Sequence, residues 1–254
     1  MSISQDYQEY FHYLTSLVSG FHKTRLEKIQ ELDLQDILKR KNPYLYKAKN
    51  IETGEGLVKS ILDAYLSSQE ETIFGNLLEK FAIYIAKNLY SGFKSSFQSI
   101  DLEFEKENTY YIVSIKSGPH WGNRDQISRM KSSFKEAKSN LIKKGIAKEI
   151  VAVNGCVYGK EKISKKCPNG EEHYYKYCGQ EFWAFISGDR DFYWKIIEPI
   201  GKKAKQQDTS FKKAYHCKVN ELTKKFLDDF ITQDHCIDWK KLVDFVSRAD
   251  TKSL

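Results

Sequence analysis

The segment Thr109–Lys116, TYYIVSIK, constrains the fold more than any other stretch. Its aromatic and β-branched residues predict a strand. Tyr110, Tyr111, Ile112, Val113 and Ile115 put apolar side chains on both of its faces. Such a strand must be covered on both sides, so it is expected at the centre of a sheet layered with helices. Residues 97–105 are predicted to pair with it as a hairpin, through a polar turn at Lys106-Glu107-Asn108. Elsewhere the apolar spacing is mostly helical. Residues 1–40 read as two amphipathic helices ended by Asn42-Pro43, and further helices are expected over 55–68, 72–90 and 124–144. A second β-branched strand covers 149–159, followed by a polar loop. Helices are then expected near 179–187 and 190–206, over 209–232, and over 238–248. This order gives an α/β core with helical additions at both ends.

With 254 residues the chain is long enough for one large domain. The expected partition is a helical part over 1–70, serving as dimer or clamp element, a core over 71–160 and a helical part over 161–254. Aromatic residues at 14% exclude disorder for most of the length. No run approaches the roughly 20 apolar residues of a membrane span. The N-terminus lacks the basic start and small-residue cleavage site of a signal peptide, which predicts an intracellular protein. The five cysteines are odd in number and include no CxxC pair, so disulfides are not expected. Cys156, Cys167, Cys178 and His173 lack the close pairs of structural zinc sites.

The hairpin carries the chemistry. Asp101, Glu103 and Glu105 alternate along its first strand and are expected on one face. Lys116 ends the second strand, with Ser114 two residues earlier, and antiparallel pairing brings both beside Asp101. Carboxylates next to a lysine suit metal-assisted phosphodiester hydrolysis: oxygen ligands hold Mg²⁺, the metal polarises the phosphoryl group, and the lysine stabilises developing charge. A solvated edge hairpin would present the same acidic strand, but a lysine closing a central strand is more pointed.

Asp101-Leu-Glu103, a short hairpin and Ser114-Ile-Lys116 resemble the PD-(D/E)xK nuclease core. IDLEFEKENTYYIVSIKSGPHWGN, RDQISRMKSSFKEA and YKYCGQEFWAFISG resemble type II restriction endonucleases of the TdeIII kind, which read GGNCC-like sites. The resemblance runs from about residue 42 to the C-terminus. It implies a restriction-endonuclease-like mixed sheet flanked by helices, with Mg²⁺ as cofactor and Mn²⁺ able to substitute. It implies double-stranded DNA as partner, a homodimer on a short interrupted palindrome, and a prokaryotic cytoplasm. The residues implied are Asp101 and the main-chain carbonyl of Ile115 for the metal, and Lys116 for the attacking water. Ser114 stands where the pattern has Asp or Glu, and serine is a poor Mg²⁺ ligand. Glu79, a charge within an apolar helix, is the first candidate to replace the carboxylate, Glu103 the second and Glu136 the third. The alternatives are a structure-specific repair nuclease on the same fold, or a catalytically silent DNA-binding module.

DNA contacts are expected after the hairpin. Asn123 suits a helix N-cap, Arg124 and Gln126 suit base edges, and His120 suits a phosphate. Trp121 is expected to pack beneath the loop or to stack. The net charge of +7 is concentrated: residues 202–225 hold eight lysines against Asp208 and Glu221. Lys202, Lys203, Lys212 and Lys213 on that stretch either neutralise phosphates or form a solvated helix face.

Overall fold

The computed structural model describes residues 5–161, 164–166 and 174–249. In chain order its elements are α1 (Gln5–Glu31), α2 (Leu34–Leu38), α3 (Pro43–Ala48), α4 (Gly54–Tyr90), β1 (Phe93–Lys94), β2 (Leu102–Lys106) and β3 (Thr109–Lys116). Then come α5 (Arg124–Lys143), β4 (Glu149–Cys156), β5 (Ser164–Lys166), β6 (Tyr174–Cys178), α6 (Gln180–Ser187), α7 (Phe192–Lys195), α8 (Ile197–Phe230) and α9 (Trp239–Ser247). Two compact units result. One combines residues 1–18 with 74–203, the other 19–73 with 204–254. The grouping is not linear along the chain: the second unit draws on both helical ends.

The first unit is built on a six-stranded sheet of order β1-β2-β3-β4-β6-β5. β1, β2 and β3 pair antiparallel, β3, β4 and β6 parallel, and β5 antiparallel to β6. The sheet is mixed, and β3 has strands on both sides, as its doubly apolar pattern requires. On one face Tyr110, Ile112, Ala152 and Tyr174 pack with Met130, Phe134, Ala137 and Leu141 of α5. On the other, Phe104 and Tyr111 stack with each other and meet Phe185 of α6, while Tyr90 of α4 stacks on Phe104. Gly155 admits Phe182 so closely that a Cβ there would fall 2.4 Å from the ring.

The β2–β3 turn is two residues, Glu107 and Asn108, both at positive φ (51° and 66°). This handedness matches the twist of paired strands. β1 and β6 were not evident in the sequence: β1 is two residues long, and Lys176 interrupts the apolar pattern of β6. β5 lies in the stretch read as a polar loop. The helices expected over 55–68 and 72–90 are one helix, α4. No glycine or proline breaks residues 67–72, and Thr72 Oγ1 bonds back to Ser68 O at 3.0 Å. For the same reason 209–232 is continuous with the preceding stretch as α8.

The second unit is helical around one core of Ile29, Leu34, Ile37, Leu57, Leu62, Leu222, Phe226 and their neighbours. Asp33 and Asn42 cap α2 and α3. Lys218, only 7% exposed, donates to the carbonyls of Gln30 (2.9 Å) and Leu32 (3.1 Å), closing the end of α1. Among the described residues no helix is long and apolar enough to cross a membrane.

Candidate active site

The β1–β2 connection delivers Asp101 to the sheet. Ser99 adopts a left-handed conformation (φ 61°) and Ile100 is buried against the α5 side. Asp101 N then donates to Val113 O at 2.8 Å, joining the ladder one residue before β2. Its side chain is fixed as well. Oδ2 accepts from Ile115 N at 2.7 Å, and Lys116 Nζ lies 3.5 Å from the same oxygen. Lys116 Nζ also stands 5.4 Å over the Trp121 ring. Both ends of the Asp101–Lys116 pair keep some exposure, 19% and 25%, so a ligand can reach them.

Glu79 of α4 joins this neighbourhood. Burial, and then the nearby charge of Asp101, push its carboxyl above the ordinary glutamate range, while Lys94 and Lys116 pull it back. Lys94 Nζ is 3.4 Å from Glu79 Oε1. One turn earlier on α4, a Cβ at Gly75 would fall 2.8 Å from Ser117 Oγ, so the helix comes close to the end of β3.

The members of the acidic triplet differ in burial: Asp101 is partly exposed, Glu103 buried and Glu105 exposed. Glu103 pairs in register with Ile112 and is 3% exposed, and its Oε2 accepts from Tyr110 OH at 2.8 Å. Burial and this carboxylate push the Tyr110 hydroxyl up. Glu103 is thus engaged inside the sheet by the Tyr110 hydroxyl. Glu105 is exposed and pairs with Lys148. Glu136 is exposed on α5. Ser114 is fully buried, and its Oγ has no hydrogen-bond partner among the described residues. An uncharged, buried hydroxyl supplies no carboxylate oxygen at this position.

The loop and helix after β3 hold most of their polar groups for themselves. Trp121 Nε1 donates to Asn154 Oδ1 (3.1 Å), and Asn154 Nδ2 donates to Ser114 O (3.3 Å), so Trp121 packs over the sheet. Asn123 Oδ1 accepts from Gln126 N (3.0 Å) and Gln126 Oε1 from Asn123 N (2.9 Å), a reciprocal capping box. That box occupies the Gln126 carbonyl expected at a base edge. His120 and Arg124 are exposed on this rim. On α8, Lys202, Lys212 and Lys213 are exposed and Lys203 is half-buried. Sequence reasoning missed Lys94 and Asn154. A lone asparagine inside the apolar run EIVAVNGC was a usable signal, because a buried amide needs partners; Lys94 offered none.

The oxygen donors around Asp101 are few: two carboxylates, Asp101 and Glu79, and the Ile115 carbonyl. That carbonyl points to the same side as the Ile115 N–H in the ladder. Among the described residues no group of three or more His, Cys, Asp or Glu stands ready to hold a metal. A sparse oxygen set fits Mg²⁺, which keeps several waters and completes its shell with substrate phosphate. Of the residues weighed for zinc, Cys156 and Cys178 are buried thiols outside any disulfide, and Cys167 and His173 lie outside the described residues.

A mixed sheet with an aspartate opening its central hairpin and a lysine closing it, flanked by helices on both faces, is the restriction-endonuclease-like α/β fold. The chain belongs to the type II restriction endonuclease EcoO109I family, whose model matches residues 8–208. Membership makes this a type II restriction endonuclease acting on DNA. No curated protein matches the chain.

Proposed function

We propose that the chain hydrolyses phosphodiester bonds of double-stranded DNA with Mg²⁺, on a PD-(D/E)xK-type centre formed by Asp101, Lys116 and Glu79. The observation that carries this reading is the convergence of those three groups at one end of β3. Asp101 is clamped by Ile115 N and Lys116, and the raised Glu79 carboxyl registers the Asp101 charge. Asp101, Glu79 and the Ile115 carbonyl hold the metal, and Mn²⁺ can replace it. Bound there, Mg²⁺ supplies Lewis-acid polarisation of the phosphoryl oxygen. Lys116 Nζ orients the attacking water and stabilises charge on the phosphate in the transition state. Trp121, lying under Lys116, limits the directions its ammonium can take. Glu79 takes the part that Ser114, buried and uncharged, cannot.

In this reading a homodimer cuts both strands of a short interrupted palindrome, since two-fold protein symmetry matches two-fold DNA symmetry. The GGNCC-like site and the TdeIII-like grouping rest on the resemblance of the hairpin and GPHWGN segments. The enzyme works in a prokaryotic cytoplasm, and a methyltransferase gene next door would support the restriction reading. Incubating plasmid DNA with the protein and Mg²⁺, and with a chelator as control, tests the reading. Discrete, metal-dependent fragments support it. Smearing or junction-only cleavage points to a repair nuclease. DNA binding without cleavage points to a silent module, in which nothing replaces the carboxylate absent at Ser114.

A further inference from the structure

β3 and β4 remain paired beyond their last strand residues. Val157 N donates to Lys116 O at 2.9 Å and Tyr158 N to Ser117 O at 3.1 Å. This carries Tyr158 to the end of the sheet that holds Asp101 and Lys116. The phenol end of its ring lies against Gly118, where a Cβ would fall 2.5 Å from Tyr158 Cζ. Gly159, at φ +97°, turns the chain immediately afterwards and lies against Pro119. The missing side chain of Gly118 therefore leaves the seat of the aromatic ring. Yet Tyr158 is 61% exposed. Core packing gives no reason for a large aromatic there.

We infer that Tyr158 contacts the deoxyribose–phosphate backbone of the DNA, beside the phosphate on which Asp101 and Lys116 act; this rests on the nuclease reading of that site. In a duplex the base faces are stacked on one another, so a ring at the backbone meets sugars and phosphates. Tyrosine suits both, its hydroxyl donating to a phosphate oxygen and its ring carbons covering a sugar. Being uncharged, it holds the strand in place without adding to counterion release.

Initial rates on a phage-length DNA of mixed sequence, with Mg²⁺, test this for wild type, Tyr158→Ala, Tyr158→Phe and Gly118→Ala. Tyr158→Ala is expected to raise KM about 5- to 30-fold while kcat changes less than about threefold. Its melting temperature and the salt dependence of KM stay at wild-type values. Tyr158→Phe falls between the two, and Gly118→Ala, which displaces the ring, moves KM in the same direction. A wild-type KM in Tyr158→Ala overturns the inference, as does a loss of kcat alone or a loss that tracks a fall in melting temperature. If the wild-type protein itself leaves the DNA uncut, the nuclease reading fails and the inference falls with it.

Discussion

The rim at Asp101 and the lysine run on α8 both concentrate charge, and they use it in opposite ways. At the rim, three groups from separate segments converge: Glu79 from α4, Asp101 from the β1–β2 connection and Lys116 from β3. They stay partly exposed, and burial, followed by the nearby charge of Asp101, keeps the Glu79 carboxyl raised. On α8 the lysines divide. Lys218 is buried on the carbonyls of Gln30 and Leu32, and Lys225 pairs with Asp33 and Glu221, so both serve the fold. Lys202, Lys212 and Lys213 remain in solvent. A dense run of charge along the chain thus says less about chemistry than three charges brought together from distant positions.

The sharpest way to break this comparison is at Glu79. Glu79→Gln is expected to lower Mg²⁺-dependent cleavage by about 10²–10³-fold. The same change should stabilise the metal-free protein. A raised carboxyl means that the folded state prefers the proton, so the ionised group costs stability at neutral pH. That cost disappears as pH falls through the folded-state value. The melting temperature of Glu79→Gln should therefore exceed that of wild type at neutral pH and converge with it in acid. A lower melting temperature at neutral pH would mark Glu79 as a structural residue.

Lys218→Ala comes next in size. It leaves two helix-end carbonyls without their cation, at a cost of about 2–3 kcal/mol in denaturant unfolding. The cleavage rate of the folded protein should not change. If the rate falls and stability does not, the division of lysines into fold and surface is wrong. The smallest effect is expected for Lys212→Gln with Lys213→Gln. If these lysines face phosphates, the slope of log affinity against log salt falls by about two. An unchanged slope assigns them to a solvated helix face.

How far the sequence made this legible depended on locality. β3 announced its central place through its own apolar residues, and the hairpin followed from a polar turn between two strands. Lys116 and Asp101 could be paired because antiparallel strands bring sequence neighbours together. Alternation along β2 did not disclose that Glu103 would be buried on the Tyr110 hydroxyl. The capping role of Gln126 was not legible, because a side chain suited to a base edge is equally suited to a capping box. Lys94 and the Trp121–Asn154–Ser114 chain depend on segments far apart in sequence. Glu79 was visible only as a charge among apolar neighbours; its closeness to Asp101 required the fold.

The central claim is that Asp101 and Lys116 form the catalytic pair, and one assay meets it most directly. Purified Asp101→Ala and Lys116→Ala, each shown to melt cooperatively and to bind DNA, are incubated with plasmid DNA and Mg²⁺ beside the wild-type protein. Wild type is expected to give discrete fragments, and each variant to fall by about 10³-fold or more. Cleavage by either variant at the wild-type rate would contradict the assignment and place the catalytic centre elsewhere on the chain.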